Sequence, residues 1–139
     1  MEENIKEVFV IDASYLLAFL LNENNYEVNK LMEKYQAKQI NLISTFLFKF
    51  EVSNALKTAV LRKRINKLKA RELLSAFLEF DIVEEKVDYL QVLKLALLKK
   101  ISFYDASYLF LAKKLKIISF WQFSIYLKSH ALDKISKIR

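Results

Sequence analysis

Apolar positions along this chain fall into short runs suited to buried strands, separated by longer stretches of helical period. The first run, Val8 to Ile11 (VFVI), is β-branched and aromatic and ends at Asp12. Gln39 to Ile43 (QINLI) predicts a second strand, Phe80 to Val83 (FDIV) a weaker third, and Ile117 to Ser119 a fourth. Between them, Tyr15 to Asn22 continues from the first strand as helix. Tyr26 to Gln36 places Val28, Leu31, Met32 and Tyr35 on one helical face. Ser44 and Thr45 are suited to cap a helix that runs through Glu51 to about Arg64. Further helices are expected from about Lys67 to Glu79, Val87 to Lys100 and Phe103 to Lys116, the last two broken near Ile101-Ser102. Strands alternating with helical crossovers predict a parallel α/β sheet. The length, 139 residues, predicts one domain over 1–139.

Composition narrows the function classes. The longest charge-free apolar run, Ile117 to Leu127, is roughly half the length a spanning helix needs. The opening MEENIKEVFV lacks the pattern of a secretion signal. With no cysteine either, the expectation is a cytoplasmic protein without disulfides or thiolate metal sites. One histidine, His130, and no cysteine exclude a Ser-His-Asp triad and a zinc cluster of the usual kind. The chain contains neither glycine nor proline, which weighs against Gly-rich phosphate loops and leaves Asn, Asp, Ser and Lys to make the turns. The net charge of +7 suits a polyanionic partner or, more plainly, a well-solvated basic surface. Lys57, Arg62, Lys63, Arg64, Lys67, Lys69 and Arg71 gather at the junction of two helices, where they can contact phosphates or simply face water.

Three carboxylates stand in apolar surroundings. Asp12 puts a charge at the carboxyl end of a buried strand, which is costly unless stabilised. In open α/β sheets that position is where ligands bind. Glu51, within LISTFLFKFEVSNALKTAV, borders an apolar helical stripe, and Asn54 follows three residues on. Asp105, within SFYDASYLFLAKKL, falls in the first turn of a helix opened by Ser102, where the macrodipole favours a negative charge. Taken singly, Glu51 and Asp105 have ordinary readings, as a solvent-facing residue beside a stripe and as a first-turn acid. Asp12 has fewer.

Together the segments IDASYLLAFLL, FEVSNALKTAV and SFYDASYLFLAKKLKI resemble the first three motifs of PIN-domain proteins. More narrowly, they resemble the VapC-type toxins of prokaryotic toxin–antitoxin pairs. The resemblance covers nearly the whole chain, and YDASYLFLAKKL is its most specific part. It implies a Rossmann-like three-layer α/β fold, with a short parallel sheet of four to five strands flanked by about seven helices. It implies endoribonuclease chemistry supported by Mg²⁺ or Mn²⁺, with Asp12, Glu51 and Asp105 as the catalytic, metal-holding acids. Ser14, Asn54 and Ser119 would support them, Arg62, Lys63, Arg64 and Lys67 could contact RNA, and a cognate antitoxin would be the protein partner. The apolar excess suits a homodimer formed through a helical face.

One departure from the family pattern has a physical consequence. A fourth acid is expected after the fourth strand, but the chain reads IISFWQF there, with Ser119 at the hydroxyl position and Trp121 at the acid position. No Asp or Glu occurs between Asp105 and Asp133. Three acids suffice for one hard cation that keeps several waters, whereas a second ion would lose most of its protein charge. The expectation is one weakly held ion. Trp121 can fill the pocket or stack on a base. Two functions follow: a metal-dependent endoribonuclease, or a catalytically degenerate PIN domain acting as an antitoxin- or RNA-binding module. An unrelated α/β binding protein is the third, least favoured reading.

Overall fold

Three parallel strands lie side by side in the order β1 (Glu7–Val10), β2 (Ile40–Thr45), β3 (Val83–Glu85), in a computed structural model that describes residues 6–115. Val10 is in register with Ile43, and Ile43 with Val83. Side chains alternate across the sheet. Phe9, Ile11, Ile40 and Leu42 join the core on one face, while Val8, Val10 and Ile43 join a second core on the other. Burial on both sides is what a parallel sheet with helical crossovers requires.

The first face is closed by α1 (Ala13–Leu20), α2 (Tyr26–Gln36), α3 (Phe48–Leu61) and α4 (Lys67–Leu78). Their buried side chains include Leu16, Val28, Met32, Phe48, Val52, Leu56 and Phe77. The second face is covered by α6 (Phe103–Leu115), whose Tyr108, Leu111 and Ala112 pack on Val10 and Ile43. Beside it lies α5 (Tyr89–Lys99), joined to α6 through Val92, Ala96 and Ala106. The described residues thus form a Rossmann-like three-layer α/β fold with six helices and three strands. The fourth expected strand, Ile117 to Ser119, lies outside the described residues. Among the described residues no helix is long and apolar enough to cross a membrane.

Three local expectations are corrected. Ser44 and Thr45 do not cap α3: both belong to β2, and α3 starts after Leu47, which offers no side-chain cap bond. The third strand begins three residues later than FDIV suggests. Phe80 instead finishes the turn after α4, its N–H donating to the Phe77 carbonyl and its ring packing on Tyr35 and Phe77. Asp81 N–H then donates to Tyr35 Oη (2.7 Å), so both residues are committed before β3 begins. Finally, α1 begins at Ala13, two residues earlier than its apolar pattern indicates, because Asp12 caps it.

The missing glycines leave a visible trace. Asn22, Lys38, Lys63 and Lys100 take positive φ (53°, 57°, 60° and 54°) just past the ends of α1, α2, α3 and α5. The residue after each donates back five positions: Glu23 to Ala18, Gln39 to Lys34, Arg64 to Ala59, Ile101 to Ala96. This is the helix-ending geometry normally given to glycine. A left-handed residue with a Cβ costs roughly 1–2 kcal/mol, which the closing hydrogen bonds offset.

Candidate active site

The site is built outward from the end of β1. Ile11 N–H donates to the Ile43 carbonyl (2.9 Å), and the buried Ser44 Oγ donates to the Ile11 carbonyl (2.6 Å). The backbone is therefore pinned to β2 through both peptide groups that flank the Ile11 Cα, immediately before Asp12. Asp12 is extended (φ −105°, ψ 170°) and only 3% exposed. Its Oδ1 accepts from Tyr15 N–H (2.9 Å), and Ser14 Oγ lies 3.2 and 3.3 Å from the two carboxylate oxygens. These donors and the positive end of α1 stabilise a charge that would otherwise be costly there. Asp12 is thus the cap of α1, and Ser14 steadies it.

Glu51 comes from the first turn of α3, flanked by the buried Phe48 and Val52, and is itself half-buried. Asp105 sits in the first turn of α6, half-buried with Oδ2 shielded from solvent, and its N–H donates to the capping Ser102 Oγ (3.1 Å). One turn further along α6, Tyr108 joins the two elements: its Oη donates to Glu51 Oε1 (3.1 Å). Burial pushes the Tyr108 hydroxyl well above the ordinary phenol range. The negative charges of Glu51 and then Asp12 push it the same way, while the nearby Thr45 hydroxyl works weakly against them. Tyr15 is pushed up to about 12 by burial, then by Glu27 and Asp12. Both phenols therefore remain protonated donors at neutral pH. Tyr108 thus meets Glu51 directly and feels the charge of Asp12, and Asp105 lies a helical turn before it on α6. Sequence reasoning missed Tyr108. The available signal was its spacing, three residues after Asp105, which puts both on neighbouring positions of one helix face.

A model of the PIN domain matches residues 9–123. The chain belongs to the PIN domain family. The matched span takes in Asp12, Glu51 and Asp105, and also Ser119 and Trp121, which lie outside the described residues. PIN domains are a family of nucleases, and membership supports a ribonuclease-type role. Comparison with curated proteins finds no match.

In this PIN domain the candidate donors are all carboxylate oxygens, a set that suits a hard divalent cation in kind. Among the described residues, however, no group of three or more His, Cys, Asp or Glu side chains is gathered closely enough to hold an ion as it stands. Asp12 accepts from the first turn of α1, and Glu51 accepts from Tyr108. Asn54 is exposed, one turn beyond Glu51 on α3.

The basic residues are elsewhere. Arg62, Lys63, Arg64 and Lys67 are exposed between α3 and α4. Arg62 is eleven residues beyond Glu51, about 16 Å at the rise of an α-helix. Arg64 Nη2 is paired with Glu23 Oε1 (2.9 Å). A groove of about 610 Å³ opens between α5 and α6, lined by Leu95, Leu98 and Phe110 with Lys94, Lys113 and Lys114. None of the three acids lines it, so its size does not mark the site.

Proposed function

We propose that this PIN domain is a metal-dependent endoribonuclease of the VapC toxin type, hydrolysing RNA phosphodiesters at Asp12, Glu51 and Asp105 with one Mg²⁺ or Mn²⁺. The observation that carries this reading is membership of a nuclease family, supported by the Tyr108–Glu51 hydrogen bond that joins the start of α3 to α6, the helix on which Asp105 lies. Asp12 and Asp105 would supply oxygen ligands, and Glu51 would accept a hydrogen bond from the attacking water and orient it. Ser14 would keep Asp12 in place through the contact it already makes. When bound, the cation supplies a lowered water pKa and neutralises charge that develops on the phosphate. Trp121 in place of a fourth acid favours a single ion over two.

RNA suits the net charge of +7. The protein partners in this reading are a cognate antitoxin and a second copy of the chain. The second copy is supported by Leu90, Leu93 and Leu97, which are exposed along one side of α5. Sizing the protein in solution at micromolar concentration tests that point, and a monomer removes it.

The competing reading, a PIN domain that binds without cleaving, is favoured by the absence of a gathered carboxylate group among the described residues and by Trp121 in the sequence. RNA cleavage in Mg²⁺ and in Mn²⁺ at low salt, compared between wild type and Asp12→Asn, separates the two. Low salt matters because phosphate contacts weaken steeply as salt rises. Cation-dependent cleavage that Asp12→Asn abolishes supports the enzyme. Equal background from both proteins in both metals leaves the binding module.

A further inference from the structure

We propose that the groove between α5 and α6 is a docking site for an acidic amphipathic helix of a partner protein. The partner's apolar side chains would rest on a leucine and phenylalanine floor, and its carboxylates would meet lysines on both walls. The proposal does not depend on Asp12, Glu51 or Asp105, none of which lines the groove. The two helices build it by their spacing. On α5, Gln91, Lys94, Leu95 and Leu98 follow one another at the three- and four-residue steps that make one stripe of a helix. On α6, Phe110, Lys113 and Lys114 take the same steps. Val92 and Ala96 of α5 pack with Ala106 of α6 and hold the two helices together. The groove stripe lies beside that seam, and Leu98 on it is 72% exposed. It is also separate from Leu90, Leu93 and Leu97, which fall on another side of α5.

Charge selects the occupant. Lys94 stands on one wall and Lys113 and Lys114 on the other, and no acid among the described residues lines the groove. A second copy presenting the same face would set lysine against lysine, which is unfavourable. The chain's own residues 116–139 carry Lys116, Lys128, Lys134, Lys137 and Arg139 against Asp133 alone, so they do not complement the walls either. Residues 1–5 hold Glu2 and Glu3 but are too few to fill a groove as long as α5, whose 11 residues span about 16 Å. The floor then separates an acidic protein segment from RNA. Leu95, Leu98 and Phe110 offer aliphatic surface with one ring and no arginine. Single-stranded RNA is held instead by stacked aromatic rings and arginine planes. A helix seated in a groove presents apolar anchors at i, i+3, i+4 and i+7, and the positions beside those anchors face the walls. Glutamates there would meet the lysines.

The test uses the full chain and a fluorescein-labelled synthetic peptide of about four helical turns. The peptide has leucine at i, i+3, i+4 and i+7, glutamate beside the leucines and alanine elsewhere. One control peptide has lysine for each glutamate, and another has serine for each leucine. Fluorescence anisotropy reads affinity. Wild type should bind the acidic amphipathic peptide roughly 10-fold more tightly than either control. Lys94→Glu combined with Lys113→Glu should weaken that binding by roughly 10-fold and strengthen binding of the lysine peptide. Lys30→Glu combined with Lys34→Glu removes the same charge from α2, which packs on the opposite face of the sheet, and should change little. Leu98→Ser alters an exposed side chain without touching charge or core, and should weaken binding by roughly 10-fold. Wild type that does not prefer the acidic peptide, or an equal loss from the α2 pair, overturns the proposal. Polyuridylate that displaces the peptide, together with an unaffected Leu98→Ser, makes the groove a polyanion site and overturns it as well. So does a change of oligomeric state on Lys94→Glu with Lys113→Glu, which would assign the groove to a second copy.

Discussion

On one face of the sheet, four helices close over a broad apolar core that runs from Ile11 and Leu16 through Met32 and Leu42 to Phe48 and Phe77. On the other, α6 lays a narrower strip, Tyr108, Leu111 and Ala112, over Val10 and Ile43. The narrower strip carries polar groups at its edge: the Tyr108 hydroxyl, Thr45 Oγ1 and the half-buried Glu51. The contrast teaches that the two faces contribute differently. Apolar area removed from water stabilises in proportion to its extent, so the broad face supplies most of the folding free energy. The narrow face contributes less area, but it orients charges where the dielectric is low and each hydrogen bond has more electrostatic weight.

The largest expected effect tests the broad face. Phe77 is buried and meets Phe48 and Phe80 edge to face, with ring centroids 5.4 and 6.1 Å away. Phe77→Ala should cost about 3–5 kcal/mol in urea unfolding, from lost transfer free energy and the cavity left behind. A loss under about 1 kcal/mol would mean that the site collapses freely and that the aromatic cluster is not where stability is concentrated.

A smaller effect tests how the broad face hands its order to the acids. Ser44 Oγ is the buried donor to the Ile11 carbonyl, next to Asp12. Ser44→Ala should cost about 1–3 kcal/mol, the usual range for taking a partner from a buried group. It should also speed hydrogen exchange at Tyr15 N–H, which bonds Asp12. Unchanged exchange there, despite lost stability, would show that β1 holds Asp12 without help from Ser44.

The same contrast explains what could be read in advance. The helices α2 and α4 and the strand β2 were legible because their apolar spacing is dictated by the broad core they face. The break between α5 and α6 was legible from local chemistry, and Ser102 does cap Asp105 N–H there. The misread segments are those where a distant partner overrides a local preference. Ser44 looks like a cap but spends its hydroxyl on β1, and Phe80 looks like a strand residue but is held by Tyr35 and Phe77. Asp12, Glu51 and Asp105 stood out because a charge in an apolar run is conspicuous in a sequence. Tyr108 did not, since a tyrosine in such a run looks like core, and its partner is 57 residues away. The cap role of Asp12 had a local signal too, an aspartate immediately before an apolar helical run.

That double role of Asp12 sets up the smallest and sharpest test. As the cap of α1 it accepts from Tyr15 N–H, and alanine cannot do so; Asp12→Ala should cost about 1 kcal/mol. Asparagine caps about as well as aspartate, so Asp12→Asn should stay within about 0.5 kcal/mol of wild type in the metal-free protein. The charge, however, also presses on Tyr108 together with that of Glu51. If repulsion within this acidic locus outweighs the cap, Asp12→Asn will be more stable than wild type without added cation, and Mn²⁺ will raise the melting temperature of wild type alone. Equal destabilisation by Ala and Asn would point the other way. The carboxylate would then serve α1 through its charge rather than its geometry, and the narrow face would have no stored repulsion for a cation to relieve.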